Sequence, residues 1–161
     1  MAAASIIRSR SVALIAVLVA AILLGSAIDA GAKPDRSRHR IDVSGATKNV
    51  GKTKDGALID RGTVTGKPFG HGKIRIVVKL DFVTSTATGT FRVRDHRGTA
   101  VGTVDMTFVI NGDEITFDGT ADLTGGKGRY KGIRGRDLRA HDHNTLDGQN
   151  GTISLRGFAR W

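Results

Sequence analysis

Val104-Asp-Met-Thr-Phe-Val-Ile-Asn-Gly-Asp-Glu-Ile-Thr-Phe-Asp118 decides how this chain folds. Val104, Met106, Phe108 and Ile110 alternate with Asp105, Thr107 and Val109, and after Asn111-Gly112 the alternation resumes with Ile115 and Phe117 between Glu114, Thr116 and Asp118. A period of two puts successive side chains on opposite faces of an extended strand. Asn-Gly tolerates the positive φ that a tight hairpin turn requires. The stretch reads as a β-hairpin with one buried and one wet face.

The same pattern runs outward in both directions. Ile74, Ile76, Val78, Leu80 and Phe82 form one stripe; Ala100 and Gly102 extend the second; Ala121 and Leu123 extend the third; Ile153, Leu155, Gly157, Ala159 and Trp161 close the chain. Asp55-Gly56, Arg97-Gly98, Asp147-Gly148 and Asn150-Gly151 supply further turns. About eight strands are predicted, near 41–45, 57–65, 73–83, 87–95, 99–111, 114–124, 136–146 and 151–161. No segment after residue 40 places apolar residues at helical spacing. Sequential hairpins make neighbours antiparallel, and eight strands with wet outer faces can close on themselves and remove exposed edges. The predicted fold is a single all-β domain over 41–161, an eight-stranded antiparallel β-barrel, with a two-sheet β-sandwich as the alternative. The stripes predict a mostly packed, apolar interior with little polar lining.

The first forty residues have another character. Arg8 and Arg10 precede 13 apolar residues, Val12 to Leu24, followed by small residues and Ala30-Gly31-Ala32. These are the parts of a secretory signal peptide, 1–32, with cleavage expected between Ala32 and Lys33. A hydrocarbon core needs about 20 apolar residues to cross. The stretch from Val12 to Ile28 offers 17, so an uncleaved anchor is the competing reading and the only membrane association foreseen. The expected location is secreted or cell envelope. Residues 33–40, with Pro34 and the cluster Lys33, Arg36, Arg38 and Arg40, read as a basic disordered linker.

Composition excludes several chemistries. The 161 residues contain no cysteine, which removes disulfides, thiol nucleophiles and thiolate metal sites together. The formal charge of +10 comes from Lys and Arg interleaved with Asp along the chain, a pattern of solubilising surface charge rather than of a nucleic-acid site. Most of the six Phe, one Tyr and one Trp fall on core stripes, which leaves no stacking platform for bases and predicts no specific nucleic-acid binding.

The most distinctive segment is Gly119-Thr-Ala-Asp-Leu-Thr-Gly-Gly-Lys-Gly-Arg-Tyr-Lys-Gly-Ile-Arg-Gly135. A phosphate-binding P-loop needs Gly-Lys-Ser/Thr before a helix, but Gly126-Lys127 is followed by Gly128. A dinucleotide fingerprint needs its third glycine one residue earlier than Gly132 and a helix after it. Gly125, Gly126, Gly128, Gly132 and Gly135 are instead read as a structural motif that permits positive φ and close packing, with Tyr130 plugging the loop. This GGxGxY pattern, with Gly89-Thr90-Phe91 and Gly119-Thr120-Ala121, resembles the allene oxide cyclase barrel-like and dirigent-like families, in particular their bacterial, signal-bearing members. The resemblance spans roughly 57–161 and is specific only over 119–135. It implies an eight-stranded barrel, homotrimers as an available assembly, and a cavity for an apolar or phenolic small molecule on which the plant enzymes steer cyclisation. Catalytic residues stay unassigned, because no position matches the polar groups of those enzymes.

Few polar side chains stand out as sites. His141 and His143 share a strand face and form a weak candidate metal pair, but two ligands are too few, and the apolar residues Leu138 and Ala140 put the histidines outside. His71, in Pro68-Phe-Gly-His-Gly72, and Tyr130 are candidate ligand or mouth residues. Glu114, Asp118 and Asp122 share a wet face and are expected to pair with Arg92, Arg94 or Arg139. Nothing calls for a cofactor. Three functions follow as expectations. The first is non-catalytic binding of a small apolar ligand or an envelope role, the second an isomerase or cyclase, and the third a binder of anionic polymers.

Overall fold

The computed structural model describes residues 37–161; the signal peptide expected over 1–32 and the start of the expected linker lie outside them. Eight strands follow one another: β1 (Arg38–Lys52), β2 (Leu58–Lys67), β3 (Gly70–Asp81), β4 (Thr86–Arg94), β5 (Gly98–Asn111), β6 (Glu114–Gly128), β7 (Gly135–Thr145) and β8 (Gly151–Arg160). Each pairs antiparallel with its sequence neighbour, and β8 returns to β1 from Arg38↔Arg160 to Thr47↔Gly151. The result is a closed up-and-down barrel without an edge strand, the architecture predicted from the alternation.

β1 extends the reading at both ends. Arg38, His39 and Arg40, expected in the linker, pair with β8 instead, and the His39 ring lies 4.0 Å from that of Trp161. Closure explains it: every residue of β8 needs a partner for its backbone, and β1 supplies one whatever its side chains. β3 begins and ends earlier than predicted, because the Asp81 carboxylate accepts the amides of Val83 and Thr84 and turns the chain before Phe82.

The two ends of the barrel differ. At one end the β6–β7 loop folds inward, and Tyr130 and Ile133 are fully buried with Phe69 from the β2–β3 turn. Tyr130 stands edge-on to Phe69 (ring centroids 5.0 Å) and Trp161 (6.1 Å). Its hydroxyl donates to the carboxylate of Asp95, which also accepts the amides of Arg97 and Gly98. The glycine motif makes this plug: Gly128 and Gly132 have φ of 64° and 78°, and a Cβ on Gly126 would overlap the carbonyl oxygens of Tyr130 and Thr99. Gly125 lies in β6 beside its bulge, opposite Val101, and Gly135 opens β7 with a Cβ position 2.9 Å from Leu138.

The opposite end is open. Among the described residues, six of the seven exposed large hydrophobic residues sit there: Val50, Phe82, Val83, Val109, Ile110 and Leu146. They form an apolar collar around the mouth of the barrel.

Candidate functional site

Between plug and collar lies a cavity of about 400 Å³. Its wall is apolar, with Ile76, Val78, Phe91, Met106 and Phe117 among its residues, and Phe69 reaches it from the plugged end. The packed interior expected from the stripes is therefore corrected. Eight strands enclose just enough width for side chains or for one small ligand. Here small residues hold inward positions, including Ala121 and Ala140, and leave space.

One side of the cavity is polar. Asp142 and Asn144 continue the inward parity of Leu138 and Ala140 along β7; Asn49 stands on β1 and Asp60 on β2, and Thr47 shares the inward parity of β1 without lining the cavity. Asp60, Asp142, Asn144 and Thr47 are all buried. Asn49 donates to Asp60 at 2.9 Å and Asn144 donates to Asp142 at 3.0 Å. Neither carboxylate forms an ion pair among the described residues. Burial, with the Asp60 charge adding to it, pushes the Asp142 carboxyl up to about 7 against the weaker opposing pull of Asn144 and His141. Burial likewise raises Asp60, opposed by the bond from Asn49.

Gly151 of β8 lies between these groups, paired with both Thr47 and Asn144. A Cβ there would overlap Thr47 Oγ1 and Asn144 Oδ1, so glycine lets both atoms approach one point. These same two atoms are the buried side-chain polar atoms without a hydrogen-bond partner among the described residues. A hydroxyl and an amide oxygen left unpaired in an apolar wall cost about 1–3 kcal/mol each. Gly151→Ala is expected to push the two side chains apart and lower the melting temperature by several degrees. Thermal melts of parent and variant check this.

The side chains singled out from sequence lie elsewhere. His71 is exposed at the start of β3, and Tyr130 is inside the plug; both are at the closed end, and neither reaches the cavity wall. His141 and His143 point outward, His141 Nδ1 lying 2.7 Å from Asp118 and His143 Nε2 3.6 Å from Glu114. Asp122 accepts the Asp137 amide at 2.9 Å. None of the three carboxylates pairs with Arg92, Arg94 or Arg139, as expected from sequence, because β5 separates β4 from β6 and Arg139 stands opposite Thr120. Among the described residues no three His, Asp or Glu side chains converge as a metal site.

No protein-family model, curated protein or solved structure matches the chain.

Proposed function

We propose that this is an exported binding protein that holds one small, mainly apolar molecule inside the barrel, with a hydrogen-bond donor on that molecule facing Asp142, Asp60 and Asn144. The observation that carries this reading is the cavity, open through an apolar collar at one end, plugged at the other and polar along one side only. Apolar walls with a few convergent polar groups are the usual anatomy of a small-molecule site. Two buried carboxylates without a cation are costly for the fold alone, and such costs gather where a protein binds or reacts.

The test uses N-phenyl-1-naphthylamine, an apolar fluorophore with one N–H donor. Saturable one-to-one binding is expected, and the double substitution Ala121→Leu/Ala140→Leu, which fills the cavity, should weaken it at least tenfold while a cooperative thermal transition remains. Absence of binding, or binding unchanged by filling the cavity, contradicts the reading.

The paired carboxylates favour a second reading, an isomerase or cyclase. A carboxyl near 7 beside a second carboxyl can hand a proton over and take one back at neutral pH. Turnover of an unsaturated or epoxide-bearing substrate that is lost in both Asp142→Asn and Asp60→Asn would favour it over simple binding.

A further inference from the structure

The outer wall carries a second feature, independent of the cavity. Lys48 on β1 stands directly across from Arg61 on β2, Arg61 from Arg75 on β3, and Arg75 from Arg92 on β4. All four side chains are exposed on the same outer face. Directly opposed residues of antiparallel strands have Cα atoms about 4.5–5.5 Å apart, so four cations run in one row around roughly half the barrel. Lys73 and Arg94, also directly opposed, form a shorter row beside it.

Like charges directly opposite each other destabilise a sheet. None of these six cations has a carboxylate within ion-pair distance among the described residues. The carboxylates on the outer face of β1 to β4 are Asp42, near the plugged end of β1 and paired with Arg40 and Arg156, and Asp81, at the open end of β3; Asp60 points inward. Acidic side chains collect instead on the far wall, where Asp105, Glu114, Asp118 and Asp122 face outward from β5 and β6. The surplus charge is thus sorted to one wall, where the interleaving along the sequence had suggested an even spread.

The row ends in a groove of about 260 Å³ beside the bulge at Val101 and Gly102. Arg75 and Arg92 line it together with Thr90, Thr103 and Thr124. Two guanidinium forks with hydroxyl groups alongside are suited to phosphate oxygens, which arginine binds in pairs.

We propose that the outer face of β1 to β4 binds a linear phosphate polymer along Lys48, Arg61, Arg75 and Arg92, with one phosphate seated in the Arg75–Arg92 groove. The convex wall of a barrel favours a flexible chain over a stiff duplex. The face offers no aromatic ring for base stacking, since Phe91 is buried in the core and the outward neighbours are Thr63, Thr88, Thr90 and Val77. Recognition then rests on the phosphates alone.

Fluorescence anisotropy of the whole protein with end-labelled inorganic polyphosphate tests this, with single-stranded DNA of equal phosphate number in parallel. Four contacts should give a log affinity against log salt slope of about −3, at roughly 0.7 ions released per phosphate. Arg61→Gln/Arg75→Gln should weaken binding at least tenfold and flatten the slope by about 1.4 on the same scale. That variant should melt at or above the parent temperature, because it removes repulsion, so weaker binding cannot reflect unfolding. Lys127→Gln/Lys131→Gln, of equal charge but exposed at the plugged end, should bind within twofold of the parent. Equal losses in the two double variants would show diffuse charge attraction and overturn the proposal. So would tighter binding of DNA than of polyphosphate, or binding insensitive to salt.

Discussion

Replacing Asp142 with Asn is expected to raise the melting temperature at pH 8 by roughly 10 °C and to leave it almost unchanged at pH 4. The Asp142 carboxyl is lifted by burial and by the Asp60 charge to about 7, against an ordinary value of 3.8. The folded state therefore keeps a proton that the unfolded chain has already released, and stability falls as pH rises from about 4 to about 7 and stays low above that. A difference of this size is worth on the order of 4 kcal/mol, less whatever water entering through the mouth screens. At a few degrees per kcal/mol for a domain of this size the shift is roughly 10 °C. Asn keeps the shape and removes the charge, so thermal melts of parent and variant across pH 4–8 should converge at the acid end and separate at the alkaline end. Equal melting temperatures at pH 8 would mean that Asp142 ionises in the fold without cost.

Tyr130→Ala is expected to be the most damaging single substitution, lowering stability by about 3–5 kcal/mol as large-to-small changes of buried aromatic residues do. The ring fills the plug between Phe69 and Trp161, and its loss opens the closed end of the cavity. The hydroxyl contributes separately. It donates to Asp95, whose side chain is fully buried, and burial alone would raise that carboxyl. Hydrogen bonds from Tyr130, Arg97 and Gly98 outweigh burial and hold it below the usual carboxylate range. Burial and the same carboxylate push the Tyr130 hydroxyl up to about 12, so it stays a donor throughout the physiological range. Tyr130→Phe keeps the ring and should cost about 1–3 kcal/mol, the penalty for leaving a buried acceptor short of a partner. Urea titrations of the two variants separate the contributions; equal losses would assign the whole effect to the hydrogen bond.

The strands were legible because apolar and polar residues alternate cleanly on β3, β5 and β6, and because Asn111-Gly112 and Asp147-Gly148 punctuate them. β1 was legible only over Ile41 and Val43. Its later inward positions hold Thr47 and Asn49, polar residues that a hydrophobic stripe does not reveal. The cavity lining was hidden for the same reason. Asp142 follows Leu138 and Ala140 at even spacing on β7, and Asp60 lies between Leu58 and Val64 on β2. A carboxylate in phase with an apolar stripe is the signal that finds them, and it competes with the far commoner outward-facing Asp. Which end of the barrel is open had no local signature. Pro68-Phe-Gly-His-Gly72 has the composition of a mouth loop, yet Phe69 turns inward to meet Tyr130, 61 positions further along the chain. The cation row depends on register between four strands, and interleaving of charge in sequence conceals sorting of charge in space.

The central claim is that the barrel interior, through its polar side, receives one small apolar molecule. Amide and side-chain NMR of the protein titrated with N-phenyl-1-naphthylamine tests it most directly. Saturating shifts at one equivalent are predicted for the Asn144 side-chain amide, the Gly151 amide and the cavity-wall residues Ile76, Met106 and Phe117, with the Tyr130 plug little changed. Shifts confined to the outer wall, or none at saturating probe, would contradict it.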